Sequence, residues 1–274
     1  MLLSLFLGFV IGAVMGLTGA GGGILAVPAL VVAMGWSMQQ AAPVALIAVG
    51  ASAALGALEG FRHGLVRYRA ALLMALIGFP FAALGNLLAQ GLSQALLMAM
   101  FSIVLLFVAY RMALRGRGRI ERETSPHRPH DIHGKAGRLD PETGRFHWNG
   151  PTFLLVGFIG ALTGLMSGML GVGGGFIIVP MLRRYTNLTM HGIVATSLLL
   201  IALVSGSAVF LALQRGASLP VTFCLYFVLA TGVGMLVGRA LARHLPEHKV
   251  QFGFALVLTC VAFGLAVKAI SGIV

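Results

Sequence analysis

The chain has 274 residues, of which 58% are hydrophobic, 9% are charged and 38 are glycine. Soluble domains carry roughly 25% charged residues and about 7% glycine, so this chain has too little polar surface to coat a globule in water. The composition excludes a soluble enzyme, a disordered protein and a secreted disulfide scaffold. It predicts an all-α polytopic membrane protein whose helices pack through small residues.

The charge balance is strongly basic, with 19 Lys and Arg against 7 Asp and Glu. In a soluble protein this excess would suggest a nucleic-acid partner, but membrane proteins collect basic residues in their cytoplasmic loops. We therefore expect a multi-pass membrane protein in contact with the lipid bilayer, with no nucleic acid as partner. No G-x-x-x-x-G-K-[ST] motif for ATP occurs, and we expect no cofactor.

The first part of the chain, in order, is an interrupted apolar stretch followed by three apolar runs. Glycines break residues 1–34 near their middle, and runs long enough to span a bilayer follow at 39–61, 70–90 and 94–111. Residues 113–150 are rich in Arg, His, Pro and Gly, which predicts a basic cytoplasmic loop. His127, His130 and His133 cluster in this loop without cysteine partners, so we predict a solvated segment and no metal site.

The second part repeats the order of the first. A glycine-broken stretch at 153–182 precedes apolar runs at 191–213, 219–239 and 250–267. Gly12 recurs as Gly164, and Pro28 as Pro180, at an offset of 152 residues. The chain is therefore predicted to hold a first membrane repeat at 1–112, the loop at 113–150 and a second membrane repeat at 151–274.

Two topologies follow from the interrupted stretches. If both cross the membrane, the halves are parallel, with eight spans, and the basic residues divide 14 inside and 5 outside. If each stretch is a re-entrant hairpin, each half has three crossings, the halves are inverted, and the division is 17 to 2. The positive-inside rule favours the inverted arrangement.

The glycine clusters are the predicted binding site. Consecutive glycines free the backbone and expose amide N–H groups, and non-helical backbone survives in a membrane only where protein buries it or it lines a cavity. A helix restarts after each cluster, which turns its positive dipole end toward the glycines and favours an anion. Interrupted segments at matching places in two halves also indicate a transporter's central site. Gly8, Gly12 and Gly16, with their partners in the second half, are predicted to serve helix packing instead.

Hydroxyl groups near the clusters are candidate donors to an oxyanion. Those considered are Thr18, Ser52, Thr163, Ser167, Thr196, Ser197, Ser205 and Ser207, although a hydroxyl in a membrane helix often bonds its own backbone. The substrate-binding prediction comprises Thr18, Gly19, Gly21, Gly22, Gly23, Ser167, Gly171, Gly173, Gly174, Gly175, Thr196 and Ser197. Glu59, the acidic residue inside a span, is expected to pair with Arg62, with a proton relay as the alternative. No catalytic set is predicted.

The doubled motif G-x-x-G-x-G-G-G-x-x-x-x-P, at 16–28 and 168–180, resembles the TauE/SafE sulfite exporter family. The Ala-Thr-Ser-Leu stretch at 195–198 also fits, although the first half has Ala-Pro-Val-Ala at 42–45. The resemblance implies about eight helical segments and a transporter, not an enzyme, for sulfur-containing anions such as sulfite or organosulfonates. It also implies a location in the bacterial inner membrane. An anion channel, a permease for another small organic anion, and a homo-oligomeric assembly remain open.

Overall fold

The computed structural model describes residues 2–123, 149–186, 188–214, 220–242 and 247–271. Most of the predicted basic loop, including its histidine cluster, lies outside these residues. The first half forms α1 (Leu2–Thr18), a 3-10 helix (Gly19–Leu25), α2 (Ala26–Met34), α3 (Met38–Arg62), α4 (Tyr68–Gly91) and α5 (Gln94–Glu123). The second half forms α6 (Gly150–Leu170), α7 (Gly175–Tyr185), α8 (Met190–Gln214), α9 (Val221–Ala242) and α10 (Glu247–Ser271).

The described residues form a polytopic helical membrane protein, as the composition predicted. Seven of their helices are long and apolar enough to cross a membrane, and Leu3–Thr18 and Gly22–Met34 are shorter apolar helices. Large apolar side chains such as Phe107 and Phe263 are exposed on the outside of the bundle, where lipid tails replace water as their surroundings.

The helix contacts have the pattern of a two-fold axis between the halves. Helix α1 packs along α9 and α4 packs along α6, while α3 packs against α8 and α5 against α10. Exchanging α1–α5 for α6–α10 leaves this set of contacts unchanged. The sequence repeat is therefore matched by a repeat in the packing.

The direction of α3 and α8 shows that the halves are inverted. A Cβ built on Gly60 would lie 2.8 Å from Ala195 Cβ, and one built on Gly50 would lie 2.9 Å from Ser205 Cβ. The residue numbers rise along α3 as they fall along α8, so these equivalent helices are antiparallel. An axis that reverses equivalent helices must lie across them, as in an inverted repeat.

Both interrupted stretches return to the end of the bundle where they began. We call the end where α3 finishes and α4, α6 and α8 begin the linker end, and the other the far end. Helix α6 runs parallel to α4, because Gly160 lies beside Met74 and Gly168 beside Ala82. Since α7 leads into α8, the α6–α7 pair starts and finishes at the linker end. By the same argument the α1–α2 pair starts and finishes at the far end.

Glycines bring the backbones of two helix pairs into direct contact. On α6, Gly164 lies against the backbone of Gly78 in α4, and on α1, Gly12 lies against the backbone of Thr231 in α9. A side chain at either glycine would enter the neighbouring helix. Small residues at every fourth position allow this close approach, in agreement with the packing role predicted for them.

Candidate functional site

The two glycine tips meet in the interior, at the middle of α3 and α8. A Cβ on Gly23 would lie 2.8 Å from Val49 Cγ1, and one on Gly173 would lie 3.1 Å from Ile201 Cγ2 and 3.5 Å from Val49 Cγ1. Val49 and Ile201 are themselves equivalent at the 152-residue offset. The tips of both hairpins therefore converge on one region near the two-fold axis.

The two tips differ in backbone conformation. In the first tip, Gly19 has a φ of 74°, and residues Gly19–Leu25 form a 3-10 helix. In the second tip, Gly171, Gly173 and Gly174 have φ values of 72°, 71° and 72°. This left-handed backbone is open to glycine at little steric cost. The same glycine motif thus builds a helical turn in one half and an irregular loop in the other.

The second tip presents backbone donors at the start of α7. The N–H groups of Ile177 and Ile178 donate to the carbonyl oxygen of Gly174 at 3.0 and 3.3 Å. The preceding N–H groups, from Gly173 to Phe176, donate to no backbone acceptor within the described part of the chain. Free N–H groups together with the positive end of the helix dipole form a typical anion-binding arrangement.

Three buried hydroxyl groups accompany this loop. The Ser205 Oγ lies 3.2 Å from the Cβ position of Gly173, Thr163 packs against Gly174, and Ser167 lies one turn farther along α6. Their side-chain oxygens are buried, and none has a hydrogen-bond partner among the described residues. A buried hydroxyl without a partner costs about 1–3 kcal/mol, so each such group calls for an explanation.

Three of the four hydroxyls selected from the sequence are engaged elsewhere. Thr18 donates to the carbonyl oxygen of Val14 at 2.8 Å, and Ser197 donates to that of Val194 at 2.9 Å. The Thr196 Oγ1 accepts a hydrogen bond from the Arg67 N–H at 3.0 Å, at the linker end. Of the four, Ser167 remains at the tip with an unpartnered hydroxyl.

The predicted glycines also divide by position. Gly23, Gly173 and Gly174 lie where the tips meet, and Gly171 ends α6 with its N–H donating to the Ser167 carbonyl oxygen at 2.8 Å. The other glycines of the predicted binding site lie in different surroundings. Gly19 packs on Val194, Gly21 lies in the 3-10 helix, Gly22 packs on the α1 backbone at Met15, and Gly175 begins α7. Ser205 and Thr163 were candidate donors outside the predicted binding set, and no spacing rule shows which face of a uniformly apolar helix meets a loop.

A cavity of about 620 Å³ opens beside the second tip at the far end. It lies between α3, α4, α6 and α8, and its wall includes Leu170, which immediately precedes the Gly171–Gly174 loop. None of its described lining residues is charged. Its polar lining residues are Ser37, Gln39, Gln40, Asn86 and Gln90.

An ion pair lies at the linker end. The Arg239 guanidinium of α9 donates to the carboxylate of Glu59 on α3, and both side chains are partly exposed. Arg62, the partner expected from the sequence, is close to Glu59 in the chain but does not form this pair. Pairing with Arg239 depends instead on the packing of α3 against α9.

Comparisons with known proteins agree with one another. The sequence profile described as "Sulfite exporter TauE/SafE" matches residues 4–265. Two proteins of Xylella fastidiosa, each called "Probable membrane transporter protein", are similar over nearly the whole chain. The one from strain 9a5c is 29% identical over 93% of this chain and 90% of its own, and the one from strain Temecula1 is 28% identical with the same coverage.

A third relative matches in part. "Probable membrane transporter protein MamO" of Paramagnetospirillum magneticum is 33% identical over 38% of this chain and 17% of its own length. No solved structure gives a significant match. The profile covers most of the chain, including both glycine motifs and the greater part of every described membrane helix. The chain belongs to the TauE/SafE family of membrane transporters.

Proposed function

We propose that this protein is a secondary transporter that exports a small sulfur-containing oxyanion, either sulfite or an organosulfonate, across the bacterial inner membrane. The observation that carries the proposal is the second glycine tip, where amide N–H groups and the Ser205 hydroxyl lie side by side with no partner among the described residues. Amide and hydroxyl donors together can surround the oxygens of such an anion without a formal positive charge. No enzymatic role is proposed.

The electrostatic character of the tip region supports an anionic cargo. Glu59 is the acidic residue of α3, and it is paired with Arg239 near the end of that helix. In transporters, Na⁺ is coordinated by oxygen atoms, often those of unwound backbone carbonyls and of half-helix C-terminal ends. The second tip instead presents N–H groups at a helix start, beside hydroxyls that can also donate, and these donors favour an acceptor-rich ligand.

The two tips are proposed to have different tasks. The second tip would hold the anion, because its left-handed glycines leave the amides of Gly173 and Gly174 free. The first tip would close the site from the opposite side, since Gly22 and Gly23 pack tightly on Met15 and Val49. Thr18, Thr196 and Ser197 would contribute to the surrounding helices and not to the ligand.

The orientation is proposed from the positions of the basic residues. The linker end carries most of them in the described helices, and Lys268 of α10 lies at the far end, where its Nζ donates to the Val31 carbonyl oxygen at 3.0 Å. By the positive-inside rule the linker end would face the cytoplasm. Those at the linker end include Arg62, Arg67, Arg69, Arg111, Arg183, Arg184 and Arg239.

The test is a flux measurement in proteoliposomes. Purified protein would be reconstituted into liposomes that are loaded with sulfite, an aminosulfonate, thiosulfate or a small carboxylate. Saturable efflux from these proteoliposomes would be compared with efflux from protein-free liposomes. We expect saturable efflux of sulfite or of the sulfonate. Efflux of carboxylates alone would show that another organic anion is carried, and currents far above transporter turnover would show an anion channel.

A further inference from the structure

The inverted repeats allow each contact at one end to be compared with its counterpart at the other. At the linker end, helices α3 and α8 touch. A Cβ on Gly60 would lie 2.8 Å from Ala195 Cβ, and one on Gly56 would lie 2.8 Å from Leu198 Cδ1. Two successive turns of α3 therefore lie directly against the start of α8.

The counterpart positions at the far end border a cavity. At the 152-residue offset, Gly60 and Ala195 correspond to Ala212 and Pro43, and Gly56 and Leu198 correspond to Ala208 and Leu46. All four counterparts line the 620 Å³ cavity. The same pair of helices is thus in direct contact at the linker end and faces the cavity at the far end.

One interaction at the linker end has no counterpart. The Glu59–Arg239 ion pair joins α3 to α9, and the Arg239 Nη1 lies 3.6 Å from the Cβ position of Gly56. The ion pair therefore covers the place where α3 meets Leu198 of α8. Helices α4 and α9 correspond at an offset of 153, because Gly85 lies against Leu165 as Gly238 lies against Ala13. The equivalent positions at the far end are therefore Leu211 and Asn86, which cannot form an ion pair.

We infer that Glu59 and Arg239 lock the linker end of the transport pathway, and that the far-end cavity is the opening of the pathway in this state. The inference rests on the proposed passage of the substrate past the second tip. The cavity wall includes Leu170, so the opening reaches the residue before that tip. In the opposite state α3 and α8 separate at the linker end, which requires the ion pair to part.

The exposure of the pair suits a lock that opens repeatedly. The side chains of Arg239 and Glu59 are 29% and 40% exposed, so water can solvate both charges when they separate. Pairs of this kind contribute modestly to stability, whereas a fully buried pair would be costly to break. The lock therefore biases the equilibrium between the two states without preventing the opposite one.

The test measures thiol accessibility from each side and needs no known substrate. In a background carrying Cys224→Ala and Cys260→Ala, the equivalent substitutions Leu198→Cys and Leu46→Cys report on the linker end and the far end. A membrane-impermeant maleimide should label Leu46→Cys and spare Leu198→Cys. Adding Glu59→Gln should speed labelling of Leu198→Cys by about two- to fivefold and slow that of Leu46→Cys.

Two further variants separate a lock from general loosening. A misfolded protein would label faster at both positions, whereas release of the lock moves the two rates in opposite directions. Glu59→Arg combined with Arg239→Glu should restore protection of Leu198→Cys, and Arg62→Gln, at the same helix end, should leave both rates unchanged. Unchanged rates in Glu59→Gln, or equal changes in Arg62→Gln, would overturn the inference. Absence of sulfite flux would refute the proposed cargo without altering these results.

Discussion

A Cβ on Gly23 would stand 3.7 Å from the carbonyl oxygen of Val172, so the first glycine tip lies against the loop of the second. The side chains around the two tips come from both halves. Val49 of α3 lies beside Gly23 and Gly173, and Ile201 of α8 lies beside Gly173. A substrate held by either tip would therefore be close to the other. Because the tips share one region, a single added methyl group there is expected to affect transport directly.

Gly173→Ala should abolish most transport. The new methyl group would stand 3.1 Å from Ile201 Cγ2 and 3.2 Å from the Ser205 Oγ, inside the space proposed for the anion, and it would strain a backbone with a φ of 71°. The matched control is Gly35→Ala, which has a φ of 69° and no neighbour within 4 Å. Each variant should lose about 1–2 kcal/mol of stability from the left-handed backbone, but sulfite efflux should fall in Gly173→Ala alone. Equal efflux in both would contradict the assignment.

Ser205→Ala should weaken substrate binding without loss of stability. The Ser205 hydroxyl is buried and unpartnered in the described part of the chain, so its removal eliminates a desolvated group. A hydrogen bond to a charged ligand contributes about 1.5–3 kcal/mol, which corresponds to a roughly ten- to hundredfold rise in KM. The readouts are the concentration dependence of efflux and the melting temperature in detergent.

The control for that substitution is Ser102→Ala. The Ser102 Oγ donates to the Ala262 carbonyl oxygen at 2.8 Å, between α5 and α10. Its loss should lower the melting temperature and leave KM unchanged. A reversed result, with KM altered by Ser102→Ala and not by Ser205→Ala, would remove Ser205 from the site.

Gly164→Ala should destabilise the protein. Its methyl group would enter the backbone of Gly78 on α4, and overpacking of this kind costs about 1–3 kcal/mol. Gly264→Ala is the comparison, because Gly264 is helical with no neighbour within 4 Å, and alanine there should be neutral or stabilising by about 0.5–1 kcal/mol. Thermal unfolding in one detergent would measure both, and equal melting temperatures would mean that α4 and α6 adapt to the added group.

Side-specific labelling should place Arg184 and Arg69 on the same face of the membrane. In the cysteine-free background, Arg184→Cys and Arg69→Cys report on the ends of α7 and α4 at the linker end, and Gln39→Cys reports on the far end. All three residues are exposed. Inverted halves require the first two to react from one side and the third from the other. Reaction of Arg184→Cys together with Gln39→Cys would support parallel halves.

The sequence predicted the helices more completely than the site. The apolar runs at 39–61 and 191–213 correspond to α3 and α8 within a residue or so at each end, because hydrophobic length is a strong signal in a membrane. The inverted arrangement followed from counting basic residues. The pairing of Glu59 with Arg239 could not be predicted, since the two residues are 180 positions apart and no periodicity connects them.

The difference between the two glycine tips was also hidden in the sequence. Gly21–Gly23 and Gly173–Gly175 are identical triplets, yet the first triplet lies in a 3-10 helix and the second includes two left-handed glycines. Glycine permits both conformations, so the choice depends on neighbouring contacts. Met15 packs on the first triplet, whereas its equivalent, Ser167, lies near the second with a free hydroxyl.

The close-packed pairs α1–α9 and α4–α6 each contain one helix from each half. Their backbones touch at successive glycines, so the partners in a pair cannot slide apart without opening several turns of contact at once. We therefore expect these mixed pairs to move as units during transport, and neither sequence half to swing as a body of its own. Two fragments divided at the central loop would each lack the close-packed partners of two helices, and we expect each to fold only when the other is present.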